Sequence, residues 1–167
     1  MRALLIALVL VLTAGCSSGP PSDLPEDFAG TFTYTKGSVP PKYHYEWTLT
    51  FTATDATVAW RPGYDDKTPP WTTTTPITAE ARATFYRTLR DAGALQATST
   101  NRDGGVGGST GSLSVIADGE TYGSPHLGTN RDNHDLLEAI HDASVNLLPA
   151  TVWDEFEQRQ KHWGAGS

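Results

Sequence analysis

From residue 28 onward, apolar and polar positions alternate with a period of two, the repeat of a strand with one buried face. Phe28, Gly30, Phe32 and Tyr34 form a first apolar set, followed by a turn at Lys36-Gly37-Ser38 and by Pro40-Pro41. The alternation then strengthens. Tyr43, Tyr45, Trp47, Leu49 and Phe51 share one face, and His44, Glu46, Thr48, Thr50 and Thr52 share the other. Asp55 opens a turn, and Thr57 to Trp60 reads as the returning strand of a hairpin. Residues 61 to 76 are rich in turn formers, although the β-branched run from Trp71 to Thr75 suits a further short strand.

The period then changes to that of a helix. Ala79 to Ala92 carries Ala81, Phe85, Leu89 and Ala92 as an apolar stripe, with Thr78 as N-cap, Gly93 as the stop, and Arg82, Arg87 and Arg90 facing elsewhere. A glycine-rich stretch leads to a strand from Ser112 to Ala117, an Asp118-Gly119 turn and a return over Glu120 to Tyr122, a strong hairpin signature. A second helix begins near Asn133, turns Leu136, Leu137, Ile140, Ala143 and Leu147 inward and ends before Pro149. A third, from Thr151 to His162, brings Val152, Phe156 and Trp163 to one end of the core. Strands, helix, hairpin and helices in this order predict an α+β domain: an antiparallel sheet with two to three helices packed on one face.

The residues before this domain are of another kind. Arg2, an apolar run from Ala3 to Leu12 and the small residues Thr13-Ala14-Gly15 before Cys16 have the order of a secretory signal. A run of about ten apolar residues is half of the roughly 20 that a membrane-spanning helix needs. The small residues before Cys16 resemble a bacterial lipobox, with Thr13 where that motif prefers an aliphatic residue and Leu12 one step early. The resemblance implies a diacylglyceryl group on the Cys16 thiol, cleavage before it and acylation of the new amino terminus. More than one acyl chain gives a stable anchor, where a single one gives marginal binding. Cys16 is the sole cysteine, so no intrachain disulfide forms. Residues 1–15 thus read as signal, 16–27 as lipidated cysteine and tether, 28–163 as one domain and 164–167 as a tail. The tether spans at most about 40 Å.

The charge balance narrows the partners. The chain carries 12 basic and 19 acidic side chains. Loss of the signal removes only Arg2 among them, leaving a net charge of −8. That argues against nucleic acid as a partner and leaves the membrane, reached through covalent lipid, and an envelope protein or glycan. The predicted location is the extracytoplasmic face of the cell membrane.

No constellation falls in its required catalytic setting. Gly107-Gly-Ser109-Thr-Gly111 satisfies the Gly-x-Ser-x-Gly pattern, with Asp135 and His141 following, but the nucleophile elbow needs a strand before the serine and a helix after it. Here a glycine-rich loop precedes and a strand follows. His134, Glu138 and His141 lie on one side of the second helix, yet two zinc-binding histidines on a helix are normally four residues apart, and these are seven apart, about 10.5 Å. Glu138 with His141, joined by His126, is the residual metal set; a solvated polar face is the favoured account, with no metal and no cofactor predicted. Tyr64, Asp65, Asp66 and Trp71 sit in a long turn-rich segment and form a candidate binding edge. The aromatic strand from Tyr43 to Phe51 would suit a stacking platform for glycan or peptide, but the core-facing side of a sheet is the favoured account.

Taken together, Phe32-Thr-Tyr34, Gly37-Ser38, Pro40-Pro41, Tyr43-His-Tyr-Glu-Trp-Thr-Leu49, Val106-Gly-Gly108, Gly111-Ser-Leu113, Asp118-Gly119, Pro149 and Val152-Trp153 resemble a group of small exported bacterial lipoproteins of uncharacterised function. The order of elements is also similar to emfourin-type inhibitors of metalloproteases. Neither resemblance transfers a catalytic residue. The expected function is a non-enzymatic, surface-tethered binding or inhibitory module; the alternatives are an envelope hydrolase using Ser109 or a helix-two histidine and carboxylate, and a cell-wall glycan-binding module.

Overall fold

The computed structural model describes residues 19–64, 67–96, 107–128 and 133–165. Cys16, Asp65, Asp66 and the signal segment lie outside the described residues. The fold is the α+β class that the periodicities predict. Six strands, β1 (Ala29–Thr35), β2 (Tyr45–Phe51), β3 (Asp55–Pro62), β4 (Trp71–Pro76), β5 (Thr110–Ala117) and β6 (Glu120–Gly128), form one antiparallel sheet in the order β4-β3-β2-β1-β5-β6. Helices α1 (Ala79–Asp91), α2 (His134–Asn146) and α3 (Ala150–Ala165) complete it. None of the described helices is long and apolar enough to cross a membrane.

Register explains why one face is covered and the other open. Val58, Leu49, Phe32 and Leu113 are successive partners across four strands, and all four are buried. Trp60, Trp47 and Tyr34 make the next row towards one end, and Ala56, Phe51, Gly30 and Val115 the next towards the other. The alternate positions are mostly hydroxyl-bearing: Thr74, Thr57, Thr50, Thr31 and Ser114 pair in one line. Because strand side chains alternate, one periodicity supplies both the core and this polar outer surface.

Three local expectations are corrected. Tyr43 is not a strand residue: Pro41–Tyr43 is a 3-10 turn, the strand starts at Tyr45, and the Tyr43 ring is 55% exposed. Pro41 stands in the first turn, where a fixed φ and a missing N–H favour helical winding over a strand. The shift carries His44, expected on the polar face, into the interior at 1% exposure. On α1 the inward face is Arg82, Phe85, Tyr86 and Leu89, whereas Ala92 is exposed.

Arg82 is buried because the preceding chain needs it. Residues 20–28 hold three prolines and form no regular element; the Phe28 amide donates to Pro25 O at 3.3 Å, and further donors for these carbonyls come from α1. Arg82 donates Nη2 to Pro25 O, Glu26 O and Phe28 O at 3.0, 2.8 and 2.9 Å, and Nε to Phe28 O at 3.2 Å. The Tyr86 hydroxyl donates to Pro21 O at 2.6 Å, and Arg90 to Ser22 O. Leu24 packs on the core. The second half of the segment read as tether is therefore laid on α1 as part of the domain. Asp27 finishes this join: its carboxylate accepts from the Asp118 and Gly119 amides, each at 2.7 Å, and those bonds hold its pKa below the usual carboxylate value.

Candidate functional site

The chain enters the sheet at one end, beside Phe28, and the chemically distinct side chains gather at the other. There β1 finishes, β2 begins and β3 finishes, because Tyr34 pairs with Trp47 and Tyr45 with Pro62. A cavity of about 430 Å³ opens at this end, lined among others by Lys36, Lys42, Tyr43, Tyr45, Glu157 and Lys161. The chain has only four lysines, so three of them meet at one mouth in a protein of formal charge −7. None of the three forms an ion pair with a carboxylate among the described residues.

Each wall of the cavity is fixed by a specific contact. The Gln160 side chain, 7% exposed, accepts from Trp60 Nε1 at 3.1 Å and donates Nε2 to Lys42 O and His44 O at 3.2 and 3.0 Å. One buried amide thus ties α3 to β3 and to the 3-10 turn. Gly164 lies against the Lys42 backbone, too close for a side chain to intervene. Trp60 is sandwiched between Tyr45, stacked at 4.2 Å, and Phe156, stacked at 5.6 Å and 4°. The lysine-bearing loop is pinned from the far side, where the Gly108 amide donates to Ser38 Oγ at 2.8 Å.

Charge and aromatic rings are interleaved at the mouth. The Lys36 ammonium stands 5.0 Å from the Tyr45 ring centroid and that of Lys42 4.8 Å from Tyr43. Burial pushes the Tyr45 hydroxyl up to about 12, with Tyr34 and Glu157 adding to the effect.

The binding edge expected from the sequence is divided. Tyr64 is exposed, but its ring stacks on buried His44 at 3.6 Å and its hydroxyl donates to Val39 O at 2.8 Å. Among the described residues His44 has no hydrogen-bond partner on either ring nitrogen, and its Nε2 lies 3.6 Å from Glu46 Oε1. Trp71 starts β4 opposite Trp60, is half-buried against the core, and is covered by the Arg159 guanidinium at 4.5 Å. Both side chains are thus committed to internal contacts. Neither lines the lysine pocket.

A second cleft, of about 320 Å³, brings together most of the residues weighed for catalysis: Ser109, His134, Glu138 and His141 line it with Tyr34 and Asp142. Ser109 Oγ accepts from the Tyr34 hydroxyl at 3.0 Å, and His141 Nδ1 lies 3.1 Å from Asp142 Oδ1. His141 also packs its ring on Tyr34 at 4.6 Å. No hydrogen bond joins Ser109 to His141 among the described residues. Ser109 precedes β5 rather than a helix, the setting expected from the sequence. His134 Nδ1 stands 3.6 Å from Glu138, and His126, on β6, does not line the cleft. Among the described residues no group of three or more His, Cys, Asp and Glu is placed to hold one metal ion.

The sequence reading missed Lys36, Lys42, Lys161 and Gln160. Lys36 and Lys42 bracket the Gly37-Ser38 and Pro40-Pro41 turns, a visible signal, but Lys161 joins them only through the docking of α3. Compared with known proteins, the chain matches no family model, and no curated protein is significantly similar to it.

Proposed function

We propose that this chain is an exported lipoprotein, anchored to a membrane by lipid on Cys16, whose domain is a non-enzymatic binding module presenting the lysine-lined pocket. The observation that carries the binding reading is the gathering of three of four lysines, without carboxylate partners among the described residues, around a preformed cavity of about 430 Å³. Cavities of roughly 300–1,000 Å³ with a few convergent polar groups are the usual form of small-ligand sites. Like charges repel, so three ammonium groups at one mouth, none paired with a carboxylate among the described residues, favour an external anion between them. The anchor rests on the signal-like N-terminus and the lipobox resemblance.

The anchor is tested by expressing the full chain in a bacterial host fed radiolabelled fatty acid. The wild-type protein is labelled and sediments with membranes, and Cys16→Ala abolishes the label. A labelled Cys16→Ala protein, or an unlabelled wild type, overturns it. One observation favours a second reading, an envelope hydrolase: Ser109, His141 and Asp142 share a cleft. It requires that the full chain turn over ester or peptide substrates and that Ser109→Ala and His141→Ala each abolish turnover.

A further inference from the structure

We infer that the lysine pocket binds an anionic saccharide, a sugar unit bearing phosphate or carboxylate, offered from the side of the domain away from the anchored membrane. The inference rests on the binding reading above and names its ligand class. The negative charge follows from Lys36, Lys42 and Lys161 at one mouth. A purely anionic ligand is disfavoured by the fourth charged group of the lining, Glu157. A carboxylate there accepts hydrogen bonds, so the matching ligand carries neutral hydroxyl donors beside its anion. Tyr45, also in the lining, carries a phenolic hydroxyl as a potential donor. Tyr43, 55% exposed at the rim, offers an aromatic face of the kind that covers the C–H side of a sugar ring.

Orientation separates a saccharide from a lipid headgroup of the anchoring bilayer. Among the described residues, the first hydrogen bonds between the leading segment and the rest of the domain are at Pro21 and Ser22, held by Tyr86 and Arg90 on α1. Five residues from Cys16 to Pro21 span at most about 17 Å. Phe28, just beyond, packs on Phe51 at the end of β2, whereas the pocket opens where β2 begins. Strands of seven residues, such as β1 and β2, are about 20 Å long. The tether therefore holds one end of the sheet towards the membrane and leaves the pocket on the other.

The test uses the full lipid-modified chain in detergent micelles, with binding read by calorimetry at low salt. Glucose 6-phosphate binds, glucose and inorganic phosphate bind at least tenfold more weakly, and 0.5 M NaCl weakens the complex at least fivefold. Lys36→Gln with Lys42→Gln lowers affinity at least tenfold while the melting temperature moves by no more than about 2 °C; Lys67→Gln, outside the pocket, leaves affinity unchanged. Dextran phosphate binding more tightly than glucose 6-phosphate assigns the ligand to a polymer, and the reverse order assigns it to a free sugar; both support the class. Absence of binding to both, or binding indifferent to the double substitution, overturns it. So does tighter binding to phosphatidylglycerol vesicles than to either saccharide probe. The ligand class and the anchor fail separately: a labelled protein that binds neither saccharide keeps the anchor and loses the ligand, whereas an unlabelled wild type that binds them keeps the pocket's ligand and loses the anchor with the orientation drawn from it.

Discussion

Gln160→Leu isolates the amide that assembles the pocket while keeping nearly the same volume. In the wild type one side chain meets three groups: the Trp60 indole N–H, the Lys42 carbonyl and the His44 carbonyl. The His44 carbonyl keeps a second donor, the Gly63 amide at 2.8 Å, so its loss is partial. The indole N–H, on a residue only 2% exposed, has no such substitute. Leaving a buried donor unsatisfied costs about 1–3 kcal/mol, and the Lys42 carbonyl adds about 1. Leucine returns up to about 1 through extra apolar burial. The net expectation is a loss of about 2–3 kcal/mol, or a fall of roughly 8–12 °C in melting temperature for a domain of this size. Thermal unfolding followed by tryptophan emission and by far-ultraviolet circular dichroism measures it. The control is Gln158→Leu, an exposed position two residues away, expected within about 0.5 kcal/mol of wild type. If the two variants melt together, Gln160 does not clamp α3 to the 3-10 turn, and the pocket lacks the rigid wall argued for it.

Three further outcomes follow from other contacts. Arg82→Met removes every donor that Pro25 O, Glu26 O and Phe28 O receive from α1, and is expected to destabilise by about 3 kcal/mol and to expose residues 20–28 to proteolysis; Arg87→Met, on the exposed side, changes stability by no more than about 0.5 kcal/mol. Gly63→Ala forces a side chain into the left-handed region at φ +67° and against the Trp163 ring, a combined cost of about 2–4 kcal/mol by denaturant titration; a neutral result refutes that contact. Asp27 has a lowered pKa in the folded state, so its contribution is fully present above the unfolded value near 3.8 and is lost as pH falls through the lower folded value. Asp27→Asn should thus lower the melting temperature at pH 7 and flatten its decline below pH 4, and parallel wild-type and variant profiles would contradict the role given to the Asp118–Gly119 contacts.

What the sequence made legible was whatever is periodic. The sheet face from Tyr45 to Phe51, the β5–β6 hairpin and the inward side of α2 follow from alternation and helical spacing, because burial on one face imposes those repeats. Tyr43 and His44 were misread for a physical reason. Counting by twos was carried back to Tyr43, the last residue of the 3-10 turn that Pro41 opens, where the alternation loses its phase. Arg82 was misread because charge normally marks the outer side of a helix; here the guanidinium serves carbonyls of a proline-rich segment that supplies few donors of its own. That debt is written in the segment from Pro20 to Pro25, and only the fold shows which residue meets it.

The site was legible to a lesser degree, since its members share no repeat. Lys36 and Lys42 lie six residues apart on either side of a turn, whereas Lys161 is more than a hundred residues away on α3. What joins them is the packing of Trp60 between Tyr45 and Phe156, which sets α3 across the end of the sheet and brings its last turns onto the 3-10 turn. The aromatic strand therefore has two roles. Its middle, Trp47 to Phe51, is core, as expected; its first residue, Tyr45, is the wall on which a cation rests. An aromatic at the end of a core strand packs on the core through part of its surface and leaves the rest to polar neighbours. Tyr45 stacks on Trp60 and still takes the Lys36 ammonium 5.0 Å from its ring centroid, which is how one residue belongs to the core and to the mouth of the cavity at once.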